Sequence, residues 1–156
     1  MTQFDKMFFY DRFASEFDSK VNMYDTNRRL EVVFNEFLLE ENLNNKLFLD
    51  AGSGTGWFSK EAILRGANVY SLDVGENILA EVAKKCNSKR VIGSVLEIPF
   101  DDNYFDVALC TEVIEHTPDP RKAVNELARV TKKNGIILIT QLSQDESWSR
   151  PFKNAG

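Results

Sequence analysis

Short apolar runs alternate with amphipathic stretches along most of the chain, and the two periods separate strands from helices. Residues 46–50 (Leu47, Phe48 and Leu49 leading to Asp50), 68–73, 90–93, 104–110 and 135–140 read as strands. Between them, 56–65, 76–87 and 120–132 carry apolar residues at helical spacing, with Ile78, Leu79, Val82, Ala83 and Cys86 on one face of the second. Ahead of the first strand, Phe9, Phe13 and Phe17 recur at i, i+4 and i+8 over 4–20, and Leu30, Val33, Phe34, Phe37 and Leu38 over 25–40, which predicts two amphipathic helices. The aromatic stripe on the first of these either packs onto the core or lids a site. Gly66 stops the helix at 56–65, and Pro120 suits the first turn of the helix at 120–132. Strand and helix patterns alternate five times, which argues for an α/β fold with a mostly parallel sheet covered on both faces. Residues 141–156 are polar and read as a loop or tail.

Composition narrows the function. The 156 residues are about one domain's worth, with 43% hydrophobic and 28% charged content, ordinary for a soluble globular protein. A net charge of −5 gives no reason to expect a nucleic-acid partner. Two cysteines, Cys86 and Cys110, and one histidine, His116, have no zinc-ligand spacing and make no disulfide framework. No metal is expected. A reducing cytoplasm is the simplest location, with no signal-peptide layout and no apolar run of about 20 residues to engage a membrane.

The candidate chemistry centres on the turn after the first strand. Asp50 is followed by Gly52, Ser53, Gly54 and Gly56, an acid-x-G-x-G-x-G run that opens onto a helix. Glycine there permits left-handed backbone and close approach of a ligand to the main chain, while the free N–H groups of the next helix point at whatever binds. The dinucleotide fingerprint G-x-G-x-x-G would need glycine where Trp57 stands. Asp73 ends the second strand about 20 residues beyond Gly52, where an acid accepts hydrogen bonds from both ribose hydroxyls of an adenosine cofactor.

This run resembles motif I of the class I, Rossmann-like S-adenosylmethionine-dependent methyltransferases, and other stretches resemble that family in turn. Tyr10-Asp11-Arg12-Phe13-Ala14 followed by Glu16-Phe17-Asp18 resembles the YD-x-x-A-x-x-YD opening of many small-molecule methyltransferases, whose first helix helps close the site. Gly93 to Phe100 resembles the segment GD-A-x-x-LPF, with Ser94 where the family's adenine-contacting acid stands. Residues 105–120, running through Glu115, His116, Asp119 and Pro120, resemble the segment around the family's E-H pair.

The resemblance covers about residues 8–142 and implies a three-layer αβα sandwich. A helical lid or cap segment would occupy 1–45, the cofactor-binding core 46–142, and a tail or truncated C-terminal part 143–156. Expected cofactor contacts are Asp50, Gly52, Ser53, Gly54, Gly56, Asp73, Val74, Ser94, Val95 and Thr111, with His116 or Glu112 as a base if the acceptor must lose a proton. The reaction implied is methyl transfer from S-adenosylmethionine to a small-molecule acceptor, leaving S-adenosylhomocysteine. No Asn-Pro-Pro-Tyr or Asp-Pro-Pro-Tyr follows the fourth strand, which disfavours amide- or adenine-N-methylation. The family's sheet has seven strands and this sequence supplies five. The chain is then a piece of a longer enzyme, or its open edge pairs with a second copy in a homodimer, or the tail covers that edge. Two rival functions stand beside the enzyme: a non-catalytic cofactor-binding module, supported by the missing strands and Ser94, and, less well supported, a nicotinamide-dependent oxidoreductase.

Overall fold

The computed structural model describes residues 9–20 and 23–141. A 3-10 turn at Tyr10–Phe13 leads into α1 (Ala14–Lys20), and α2 (Met23–Glu31) continues as a wider π turn over Val32–Phe37. Then come β1 (Leu47–Ala51), α3 (Trp57–Leu64), β2 (Asn68–Asp73), α4 (Glu76–Lys85), β3 (Lys89–Ile92), β4 (Phe105–Thr111), a 3-10 turn at Ile114–His116, α5 (Pro120–Val130) and β5 (Thr131–Thr140). The five strands form one sheet in the order β3-β2-β1-β4-β5, parallel at every pairing. The expected doubly covered parallel sheet is therefore observed.

Its strands are apolar on both sides because both faces are buried. Phe48, Val69, Val107 and Leu109 point to one layer, where they meet Phe34 and Leu38 beyond α2 and Phe58 and Ala62 of α3. Leu49, Ala51, Leu72, Ala108 and Cys110 point to the other, against Ala123, Leu127 and Val130 of α5 and the Val95–Ile98 segment. The sheet runs outward from β1 in both directions, to β2 and β3 on one side and to β4 and β5 on the other. The crevice beyond the carboxyl ends of β1 and β4 is thus the topological switch point, where ligands of such sheets bind.

Three expectations need correction. The aromatic stripe does not pack onto the core as a unit: Phe9 and Phe13 are 41% and 42% exposed, and among the described residues of the 4–20 segment, which exclude 4–8, only Ala14 is buried. Tyr10 and Phe17, seven residues apart and so on one helical face, line the crevice, while Phe9 and Phe13 are exposed. The helix at 25–40 is regular only to Glu31. The last strand starts at Thr131, which pairs with Phe105; the register then jumps, and the ladder resumes with Ile136 on Val107, leaving 132–135 as a bulge. Of the tail read at 141–156, everything after residue 141 lies outside the described residues.

Candidate functional site

The loop after β1 is held from below. The N–H groups of Gly52 and Ser53 both donate to Leu72 O, at 2.8 and 2.9 Å, so the turn is tied to the end of β2. Gly52, Gly54 and Gly56 all have left-handed φ, of 75°, 52° and 91°. At Gly52 a Cβ would sit 2.3 Å from Val113 Cγ2. At Gly54 a Cβ would meet nothing within 4 Å, so there the missing side chain leaves open space above the backbone. Gly54 N–H in turn donates to Asp73 Oδ2 at 3.0 Å, and Gly75 N–H to Asp73 Oδ1 at 3.1 Å. The carboxylate at the tip of β2 is thereby oriented, with acceptor capacity left on each oxygen. Burial pushes its pKa up, and these N–H donors act against that shift.

A cavity of about 310 Å³ lies over this loop. Of the expected cofactor contacts, Gly52, Ser53, Gly54, Gly56, Asp73, Val74, Val95 and Thr111 line it, and so do the expected bases Glu112 and His116. Two expected contacts do not. Asp50 is fully buried beneath the loop; Ser59 Oγ donates to its Oδ2 at 2.6 Å, and hydroxyls of Ser59, Ser71 and Ser88 continue the chain at 2.6 Å each. Its Oδ1 has no hydrogen-bond partner, and burial raises its pKa to about 7. Asp50 points into the layer of Phe48 rather than over the sheet end, which the strand alternation dictates. Ser94 is likewise off the wall: its Oγ accepts from Leu96 N–H at 3.1 Å and shapes the turn that presents Val95.

The opposite wall comes from β4 and the N-terminal helices. Glu112 holds left-handed backbone, φ 55°, just after β4, and its N–H donates to Thr140 O at 2.8 Å. Its Oε1 pairs with Arg29 Nη1 of α2 at 3.0 Å. Burial raises the Glu112 pKa, and Arg29 opposes the rise. The His116 ring lies 6.1 Å from that of Tyr10, edge on. Arg29 is the one guanidinium or ammonium among the described residues that line the cavity. The sequence reading missed it, because a helix of mostly polar residues offers no signal that singles out Arg29 from Arg28.

The two acids of the N-terminal signature act as tethers. Asp11 Oδ1 accepts from Ile78 N–H and Oδ2 from Asn77 Nδ2, both at 3.0 Å, which caps α4 from another element. Asp18 accepts from Thr55 Oγ1, from Trp57 Nε1 at 3.1 Å and from Lys85 Nζ.

Residues 49–139 match the family described as "Methyltransferase domain". The malonyl-[acyl-carrier protein] O-methyltransferase of Buchnera aphidicola is 32% identical over 136 residues, 85% of this chain and 55% of that protein. The ubiquinone biosynthesis O-methyltransferase of Pseudomonas syringae pv. tomato is 32% identical over 110 residues, 67% of this chain and 47% of that protein. Among solved structures, magnesium protoporphyrin IX methyltransferase (ChlM) of Synechocystis, with bound SAM, shares the fold at a TM-score of 0.68 and 22% identity, covering 81% of this chain and 72% of that one. The chain spans about half the length of these two curated relatives. With the family matched across more than half its residues and the parallel sheet and glycine loop in place, this chain belongs to the class I S-adenosylmethionine-dependent methyltransferases.

Proposed function

We propose that the crevice binds S-adenosylmethionine and that the chain carries the cofactor-binding half of an enzyme that methylates a small molecule. One observation carries this reading: an open glycine cradle at Gly54 is hydrogen-bonded to the Asp73 carboxylate, so that a backbone surface and a diol acceptor meet in one cavity. The residues fit the cofactor part by part. Asp73 would accept the ribose hydroxyls, Val74, Ile78 and Val95 would flank the adenine, and the Gly52–Gly56 turn would back the amino-acid end. Arg29 is the natural partner of the cofactor's carboxylate. When bound, S-adenosylmethionine supplies an activated methyl on sulfur and leaves as S-adenosylhomocysteine.

The chain's own contribution is then positioning, with Tyr10, Phe17 and the residues after β4 walling the crevice so that donor and acceptor meet in line. Glu112 or His116 would take the proton of a hydroxyl acceptor. Oxygen acceptors are favoured by two O-methyltransferase relatives. Residues 1–45 would serve as a cap on the core at 46–142, tethered by Asp11 and Asp18 where described. The outer edge of β5, open among the described residues, supports pairing with a second copy. No described helix is long and apolar enough to cross a membrane, in keeping with a cytoplasmic site of action.

Calorimetric titration with S-adenosylhomocysteine, with NAD as control, tests the reading. Micromolar-range binding of the first ligand alone, lost in Asp73→Ala, is expected; binding of NAD instead overturns it. Because the chain spans about half of its relatives, a second reading is binding without turnover. Methyl transfer to any of a panel of phenols and carboxylic acids would exclude that.

A further inference from the structure

We infer that Glu112 and the cofactor's carboxylate compete for Arg29, so that cofactor binding unpairs Glu112 and turns it toward the acceptor. The inference rests on the cofactor reading above. Arg29 is fixed from several sides: Nη1 meets Glu112 Oε1 at 3.0 Å, Nη2 meets Thr26 Oγ1 at 3.5 Å, and the guanidinium carbon lies 5.7 Å from the Phe58 ring centre. Thr26 is buried, and the Arg29 and Glu112 side chains keep 31% and 21% exposure, so the pair borders the cavity rather than open solvent.

The local charge balance is unfavourable to a second anion. Facing Glu112 are Arg29 and Asp25 from α2 and Glu115 from the turn after β4, with His116 of the same turn on the cavity wall and Thr140 O on its backbone. Arg29 is thus the cation paired with Glu112, while Asp25 and Glu115 act on Glu112 with like charge. A cofactor carboxylate brought to Arg29 meets Glu112 already there, and like charges at one cation repel. The pair also involves a residue held in left-handed backbone, φ 55°, without being glycine, asparagine or aspartate. Such strain clusters at sites where it serves a mechanism. Here it sets the side chain at the mouth of the parallel sheet, within reach of Arg29 from one side and of the acceptor space beside His116 from the other.

Paired to Arg29, Glu112 is a poor proton acceptor; unpaired in the same half-buried setting it is a better one. Cofactor entry would thus switch on the base, and acceptor chemistry would follow cofactor binding in a fixed order. The closed pair also taxes cofactor affinity, because the competent state must first be populated.

The test compares S-adenosylhomocysteine with 5′-methylthioadenosine, which keeps the nucleoside and thioether but lacks the amino-acid carboxylate and ammonium. Removing Glu112 as Glu112→Gln should tighten S-adenosylhomocysteine roughly threefold to tenfold and leave 5′-methylthioadenosine unchanged. Glu112→Gly, which suits left-handed backbone, should do the same and guards against a folding artefact. In an Arg29→Gln background, Glu112→Gln should change neither affinity. If both ligands bind the unaltered chain but neither Glu112 variant tightens the first, the competition is overturned and the cofactor reading stands. If the unaltered chain binds neither ligand, both fall.

Discussion

At the scale of the residue, two features separate ligand binding from stability. Gly54 tolerates a side chain sterically but needs φ 52°, and its open face is where the ligand would lie. Gly54→Ala should cost about 1 kcal/mol of stability through left-handed strain, yet weaken S-adenosylhomocysteine by at least tenfold because the new methyl occupies the cradle. Thermal melts and calorimetry on one preparation separate the two effects. Asp50 acts the other way. Burial lifts its folded pKa to about 7, above the ordinary 3.8 of an aspartate, so the folded state binds a proton more tightly than the unfolded one. Its contribution is fully present below pH 4, and is lost as pH rises through about 7. Asp73 is shifted in the same direction. Asp50→Asn imitates the neutral acid and still offers Ser59 an acceptor. It should flatten the fall in melting temperature between pH 5 and pH 8, and be more stable than the unaltered chain at the upper end.

At the scale of the element, the N-terminal helix is joined to the core by carboxylates, with little apolar burial of its own. Asp11→Ala removes the acceptor for Ile78 N–H and should destabilise by about 1 kcal/mol, the usual loss of a cap. Asp18→Ala leaves α4 capped but removes an acceptor from Thr55, Trp57 and Lys85, and should speed amide exchange in α1 more than it lowers the melting temperature. The same element shows where sequence reading stops. The repeat of Phe9, Phe13 and Phe17 reveals a helix, but which of its aromatics face the crevice is set by the elements it docks against, which the spacing does not announce. Asp11 reads locally as one more polar residue, because the N–H it caps is 67 positions away.

At the scale of the whole molecule, period and punctuation were enough to read the layers. Five apolar runs, most of them separated by amphipathic helices, admit few arrangements other than a parallel sheet, and glycine and aspartate at strand ends mark its ligand-binding rim. Gly52 to Gly56 and Asp73 were legible because backbone conformation and strand-end position are local properties. Asp50 was misplaced because an acid beside a glycine loop looks like a ligand until the strand's alternation sends it inward. Arg29 was missed because its partner Glu112 comes from a distant part of the chain. The core itself is evenly shared between the two faces of the sheet. Phe48→Ala, beneath Phe34 at 6.3 Å between ring centres, should cost about 3–5 kcal/mol in urea unfolding.

The central position of β1 has a kinetic consequence. Its neighbour β2 follows after one helix, but β4, its other neighbour, lies beyond β2, α4 and β3; the bond from Leu47 N–H to Asp106 Oδ2 spans 59 positions. Closing that loop costs chain entropy before the reward of pairing arrives. The β1-α3-β2 unit should therefore form early, with β4 and β5 docking onto it late. Conservative core truncations at Val69 should slow refolding, while those at Leu109 should mainly speed unfolding, a contrast that stopped-flow chevrons would resolve.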